Sequence, residues 1–224
     1  MKQLYKIQNI LILASVIALV TSLIIITIKY NNGKINKDEN KHDYLNTEEV
    51  ASNKVDSTEI KRKDSINNLT IKELKPFFNI SKDEFNPNGL TWYKPKNASK
   101  YVNENSAYCY FQVIDNKASN FRFRLQYLSD EWLFIKKVQF SIDGQPYEFT
   151  PINVESDNDT EIWEWFDENI DIFSEPLIDA ISKAKVVKMK LIGRQYYDTK
   201  TMTKSQIESI NKTYKLYKAM DGQF

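Results

Sequence analysis

The chain has 224 residues, with 31 Lys and Arg against 30 Asp and Glu, a formal net charge of +1, one Cys and one His. Near-neutrality excludes non-specific nucleic-acid binding, which needs a clear basic surplus. A single cysteine excludes an internal disulfide framework and any multi-cysteine zinc or iron–sulfur site, and five scattered glycines form no phosphate-cradling loop.

Residues 1–9 make a short tail carrying Lys2 and Lys6, and the nineteen residues from Ile10 to Ile28 contain no charge. At about 1.5 Å per helical residue they reach roughly 28 Å, close to the hydrocarbon thickness of a bilayer. A cleaved signal peptide would end its shorter apolar run at small residues. The best such site, Val20-Thr21-Ser22, is followed by the still apolar Leu23-Ile24-Ile25-Ile26. A core helix would show a polar face, and this stretch has none. The expectation is an uncleaved transmembrane signal-anchor helix over 10–28, with the lipid bilayer as its partner. Cys109 is the only cysteine, so a lipoprotein anchored by a lipidated cysteine is excluded. Lys29, Lys34, Lys37 and Lys41 follow the helix, and a positive-inside count alone would keep that side in the cytoplasm. The layout of a short tail before a long polar domain is that of a signal anchor facing outward. We therefore expect a single-pass plasma-membrane protein with an extracytoplasmic domain.

Residues 29–69 read as a flexible polar linker. They are rich in Asn, Lys, Asp, Glu and Ser, and Val50, Val55 and Ile60 fall five apart, a spacing of neither helix nor strand. Such a stretch buries too little apolar surface to offset its conformational entropy. Fully flexible, it would reach about 35–40 Å. The lone histidine, His42, falls here as a solvated linker residue.

The globular domain is expected over 70–224, with 21 basic and 22 acidic residues. Thr70-Ile71-Lys72-Glu73 has the form of a capping box, and Pro76 would stop any helix after a turn or two. Asn86-Pro87-Asn88-Gly89 is turn chemistry, and Thr91-Trp92-Tyr93 a short strand. Ala107, Cys109, Phe111 and Val113 alternate with Tyr108, Tyr110 and Gln112; Phe121, Phe123, Leu125 and Tyr127 alternate with Arg122, Arg124 and Gln126. Ser129-Asp130 is a turn candidate before a run from Trp132 to Ile142, interrupted by Lys136. Asp143-Gly144 is a strong hairpin signal, and Tyr147–Ile152 returns. Four strands joined by short turns would form an antiparallel meander with one apolar face.

Further on, Ser174 can cap a helix to about Ser182, and Val187, Met189 and Leu191 alternate in a strand that ends at Gly193, with Arg194–Tyr197 as its partner. Thr203 and Gln206 open a last helix in which Ile207, Ile210, Tyr214 and Tyr217 share one face. The expected fold is α+β, an antiparallel β-meander with C-terminal helices packed on it, behind the membrane helix. A β-sandwich with helical additions is the alternative.

Candidate sites come from three places. Ten carboxylates and no Lys or Arg lie between Glu155 and Asp179. Asp157, Asp159 and Glu161 alternate there, with Glu168 where a calcium loop places its bidentate Glu, but Ile162 stands where that loop needs Gly. These oxygens are a candidate Ca²⁺ site set against a solvated acidic loop. Trp163-Glu164-Trp165-Phe166 combines rings and acids as sugar-binding sites do, and as loops pinned to a core also do. Glu164 and Glu168, four apart, would share a helical face, and paired carboxylates hydrolyse glycosides. Arg122 and Arg124 project opposite Phe121, Phe123 and Leu125, where Tyr108 and Tyr110 could join them in a ligand-binding face. Such a face can stack single-stranded nucleic acid, but the charge balance argues against it.

No His lies beyond residue 69, which eliminates Ser–His–Asp and Cys–His catalysis and His-ligated zinc within the domain. Cys109 reads as a small buried hydrophobe. The expected function is a non-enzymatic binding or interaction module, free of cofactor, that meets another envelope protein or a glycan. An envelope glycan hydrolase using a carboxylate pair and a structural subunit of a membrane complex are the alternatives. A basic block of ten Lys or Arg from Lys183 to Lys218 opposes the acidic stretch. Twenty-seven Lys against four Arg suggests an AT-rich, bacterial genome.

Overall fold

The computed structural model describes the backbone from Glu48 to Phe224 and side chains from Glu59 onward. The anchor over 10–28, the tail, His42 and the first part of the linker lie outside the described residues. Among the described residues no helix is long and apolar enough to cross a membrane. The chain divides at Glu59 and Ile60 into two units. In the first, the described residues are helical; the second carries the sheets.

The first element is a helix, α1 (Glu48–Leu74), followed by a 3₁₀ turn over Lys75–Phe77 that contains Pro76. The latter part of the expected linker is thus helical, and the apparent capping box at Thr70 lies near the helix end. There the Thr70 hydroxyl donates to the Ile66 carbonyl instead of capping. The missing apolar period has a physical reason. Ile71 and Leu74 of the last turn pack against the core, whereas Ile60, Ile66 and Leu69 are all more than half exposed, so this part of the helix buries no continuous face. Glu59 stands three and four residues before Arg62 and Lys63, the spacing at which opposite charges support a helix.

Among the described residues ten antiparallel strands form two sheets. The strands are β1 (Phe78–Lys82), β2 (Thr91–Pro95), β3 (Ser106–Ile114), β4 (Lys117–Ser129), β5 (Lys137–Ile142), β6 (Gln145–Phe149), β7 (Glu155–Asn158), β8 (Ile162–Asn169), β9 (Val187–Ile192) and β10 (Tyr197–Thr201). Six make one sheet in the order β1-β2-β3-β4-β8-β7, and four make the other in the order β10-β9-β5-β6. Helices α2 (Glu175–Lys183) and α3 (Lys204–Ala219) complete an α+β domain.

The single meander is corrected here. β3 pairs with β4 and β5 with β6, as the alternation implies, but β4 pairs onward with β8 and not with β5. Between Ser129 and Lys137 the chain leaves one sheet for the other, with Phe134 at φ +55°. Two further expectations shift. β9 pairs with β10 at Tyr197–Thr201, not with Arg194–Tyr197. The acidic stretch, expected as loop, supplies β7 and β8.

Turn chemistry holds where it is local. Asp143 and Gly144 both take positive φ, +48° and +88°, and close β5 onto β6 with Ile142 opposite Gln145. Asp115 and Asn116, at +49° and +61°, close β3 onto β4 in the same way. Asn120 at +48° forms a bulge, because Tyr110 faces Arg122 while Gln112 faces Ser119. The extra residue changes the parity of β4, so that Ala118 and Phe121 both turn inward. Gly193 is needed for a close approach, since a Cβ there would lie 1.9 Å from the Leu133 carbonyl oxygen.

The core lies on one face of the six-stranded sheet. Phe123 meets Phe140 and Phe149 of the smaller sheet at centroid distances of 6.5 and 6.1 Å, and Phe149 stacks on Phe166 at 5.4 Å. The rest of that face takes α3. Tyr217 packs on Phe121 and Phe111 at 4.9 and 5.4 Å, and Ile207, Ile210 and Leu216 are buried beside it. The expected capping box is present: Gln206 N–H donates to the Thr203 hydroxyl at 3.2 Å, and Thr203 N–H to Gln206 Oε1 at 2.8 Å. At α2 the Ser174 side chain does not cap. The Asp171 carboxylate accepts the N–H groups of Phe173 and Ser174 in its place.

Candidate functional site

Glu164 stands on the core face of β8 between Ile162 and Phe166, only 1% exposed. Its Oε1 accepts the N–H groups of Leu133 and Phe134 at 2.7 and 2.8 Å, and its Oε2 accepts Ile135 N–H at 2.7 Å. Three consecutive amides drawn onto one carboxylate cannot join a sheet ladder. This explains why the chain leaves the six-stranded sheet after β4 and passes beneath β8 before β5. The expected ligand-binding role of Glu164 is therefore corrected: its acceptors are taken up by the fold.

Glu168 is also engaged with backbone, since its Oε1 accepts Ile152 N–H at 2.5 Å and Asn153 N–H at 3.0 Å. The two acids lie on a strand, not a helix, and four residues of strand span about 13 Å. That exceeds the spacing of about 5–9.5 Å at which two carboxylates act on one glycosidic bond.

The opposite face of the six-stranded sheet gathers the other candidates. Cross-strand register aligns Tyr108 with Arg124 and Tyr110 with Arg122, and Arg124 in turn faces Asp167 of β8. Asp167 is the hub. Its Oδ1 accepts Arg122 Nε at 2.7 Å, its Oδ2 accepts Arg124 Nη1 at 3.1 Å and the Tyr110 hydroxyl at 2.6 Å, and its carbonyl accepts Arg122 Nη2 at 2.5 Å. Arg124 Nε donates to Gln126 Oε1 at 3.1 Å. The side chains of Arg122, Arg124 and Asp167 are 26, 17 and 14% exposed, so the cluster is half-sunk in the face.

From β2, Trp92 lies 5.4 Å from Tyr110 ring to ring, and Lys94 Nζ sits 5.0 Å over the Tyr108 ring. Electrostatics follow the crowding. Burial, then the neighbouring Arg124, lowers the Lys94 pKa. Burial pushes the Tyr108 phenol up to about 12, and burial followed by the bond to Asp167 pushes Tyr110 up as well. Burial works against the Arg122 charge, but the hydrogen bond and charge of Asp167 outweigh it and hold the guanidinium protonated. Three cations face one carboxylate here, a local surplus of two positive charges.

Trp163 and Trp165 are placed on this same outer face of β8, opposite Leu128 and Gln126. Trp163 Nε1 is buried with no hydrogen-bond partner among the described residues. Their neighbours on β7 are Asp157, opposite Trp163, and Glu155, opposite Trp165. The face thus runs from basic near β2–β4 to acidic at the β7 edge. The candidate Ca²⁺ oxygens do not converge. Asp157 lies on β7 with Oδ1 accepting Asn158 N–H, while Asp159 and Glu161 belong to the turn that follows. Among the described residues no group of three or more His, Cys, Asp or Glu is placed to hold a metal.

Cys109 is wholly buried, and burial raises its thiol pKa well above the ordinary value. The acidic and basic blocks touch in part through α2 and α3, where the Tyr214 hydroxyl donates to Glu175 at 2.8 Å and Lys218 lies 3.6 Å from it.

Sequence reasoning singled out Arg122, Arg124 and their tyrosine neighbours but missed Asp167, Trp92 and Lys94 as their companions. For Trp92 and Lys94 the alternation around Tyr93 was the available signal, since a strand that buries Tyr93 turns both outward. Comparison of the chain with protein-family models, with curated proteins and with solved structures finds no match.

Proposed function

We propose that this chain is a single-pass, membrane-anchored, non-enzymatic binding module of a bacterial cell envelope. Residues 10–28 would hold it in the plasma membrane and the 70–224 domain would stand outside. The observation that carries the reading is the outer face of the six-stranded sheet. Trp92, Tyr110, Arg122, Arg124 and Asp167 form one hydrogen-bonded, ring-packed and partly exposed surface there, bordered by the 99–104 loop, whose carbonyls accept Lys94 Nζ and Gln126 Nε2. Side chains locked by packing and hydrogen bonds lose little entropy when a partner lands on them.

The uncharged run from Ile10 to Ile28 supports the anchor. Glu164 and Glu168, whose oxygens accept backbone amides, weigh against the carboxylate-pair hydrolase alternative. The test is co-sedimentation of the full-length chain, in detergent, with isolated envelope material. Wild type is expected to pellet with it and a Trp92→Ala/Arg124→Gln variant to remain in solution. Equal pelleting of both, or of neither, would overturn the reading. Protease accessibility in spheroplasts checks the orientation: digestion of the domain from outside is expected, and full protection would reverse the assignment.

A further inference from the structure

We infer that the β2–β4 part of this outer face binds a carboxylated glycan, its acid groups on Arg122 and Arg124 and a sugar ring against Trp92. The inference rests on the proposed binding module and adds the class of ligand.

Arg122 spends Nε and Nη2 on Asp167, and Arg124 spends Nε and Nη1 on Gln126 and Asp167. Arg122 Nη1 and Arg124 Nη2 have no hydrogen-bond partner among the described residues. Neither is among the buried atoms left unsatisfied, so both reach solvent. Two guanidinium groups are therefore already oriented, with N–H donors to spare, and the face keeps a surplus of positive charge. A planar guanidinium edge presents its N–H groups in the geometry that a carboxylate accepts.

The occupant follows from what this surface lacks as well as from its charge. β2, β3, β4 and β8 are interior strands with neighbours on both sides, so a peptide cannot add itself as a strand here. Recognition has to run through side-chain faces. Trp92 and Tyr110 offer ring surface, and rings stack on the apolar faces of pyranoses. Trp92 pairs with Gln112 of β3 and Arg122 with Tyr110, so their backbones lie two strand spacings apart and two residues out of register, about 12 Å, close to the span of two linked sugar rings. Charge, ring and spacing together fit a sugar chain bearing carboxylates better than a bare anion, which would have no use for Trp92.

The test is calorimetric titration of the full-length protein in detergent. The probes are a galacturonate oligosaccharide, a neutral glucan oligosaccharide of equal length, inorganic phosphate and an oligoglutamate peptide. Binding of the galacturonate chain is expected to exceed that of the glucan at least tenfold and to weaken with salt. Trp92→Ala and Arg124→Gln are each expected to lower that affinity about tenfold, with Lys188→Gln, on the other sheet, without effect. Trp92 lies outside the Asp167 hydrogen-bond cluster, so its variant keeps the test valid should Arg124→Gln unfold the protein.

Equal binding of the neutral glucan would overturn the charge argument. Phosphate binding as tightly, independent of Trp92, would reduce the site to an anion patch and overturn the sugar. Preference for oligoglutamate would assign an acidic protein partner instead, and absence of binding by every acidic probe would also overturn the inference. In those last cases, pelleting with envelope material that still depends on Trp92 and Arg124 would leave the binding module standing and remove only the glycan.

Discussion

Glu164→Gln tests how the two sheets are joined. The carboxylate takes three amides at 2.7, 2.8 and 2.7 Å in a site that is 1% exposed. Glutamine keeps one acceptor oxygen, which can serve Leu133 and Phe134, but its NH₂ group then points at Ile135 N–H, donor against donor. One charge-assisted bond is lost, worth about 1.5–3 kcal/mol, and a buried donor is left unpaired at a cost of about 1–3 kcal/mol. We expect a loss of about 3 kcal/mol. Leucine would orphan all three amides and lose about 5 kcal/mol, much of the stability of an ordinary domain. For a chain of this size each kcal/mol lowers the melting temperature by about 2–4 °C, so the Gln variant should melt about 6–12 °C below wild type. Urea unfolding followed by tryptophan fluorescence gives the free energy directly. A Gln variant within about 2 °C of wild type would refute the idea that this carboxylate sets the crossing between the sheets.

Gly193→Ala should cost about 3 kcal/mol, because its Cβ would collide with backbone at Leu133, one of the residues that Glu164 holds; chemical denaturation checks this. The pair Gly193→Ala and Glu164→Gln should be non-additive, since both displace the same segment. Asp167→Asn should destabilise by about 2 kcal/mol, as it leaves Arg122 and Arg124 without their shared anion, and calorimetric melting reads this. Burial raises the phenol pKa values of Tyr108, Tyr110, Tyr214 and Tyr217, with Tyr108 at about 12. A phenol whose folded pKa lies above its unfolded value of about 10 stabilises the fold below pH 10 and loses that contribution as pH climbs toward 12. The melting temperature should thus fall steeply above pH 10. Phenolate absorbance showing all 13 tyrosines titrating together near 10 in the native protein would contradict it.

What the sequence makes legible here is local. The Asp143-Gly144 turn, the Thr203–Gln206 capping box and the alternation of β3, β4 and β9 each depend on a few neighbouring residues, and each is found where the residues place it. β8 was hidden because its pattern is inverted. Ile162, Glu164 and Phe166 face the core while Trp163 and Trp165 face outward, so a buried acid and two half-exposed tryptophans obscure an ordinary strand period. Nothing near Glu164 in sequence announces that its partners lie about thirty residues earlier. The same distance effect hid the sheet switch, since the strand-like run from Trp132 is diverted by a contact that only the folded chain makes. Arg122 and Arg124 were readable as outward residues from parity alone, whereas Asp167 joined them only once β8 was paired with β4.

The binding face is probed most directly by photocrosslinking in intact cells. A photoreactive phenylalanine analogue at position 92 would sit on the outer face of the six-stranded sheet, and one at position 139 on the outer face of the four-stranded sheet as the control. A discrete adduct from position 92, absent from position 139 and abolished by Arg124→Gln, is the expected result. Adducts of equal yield from both positions, or none from position 92, would contradict the assignment of that face as the place where this domain meets its partner.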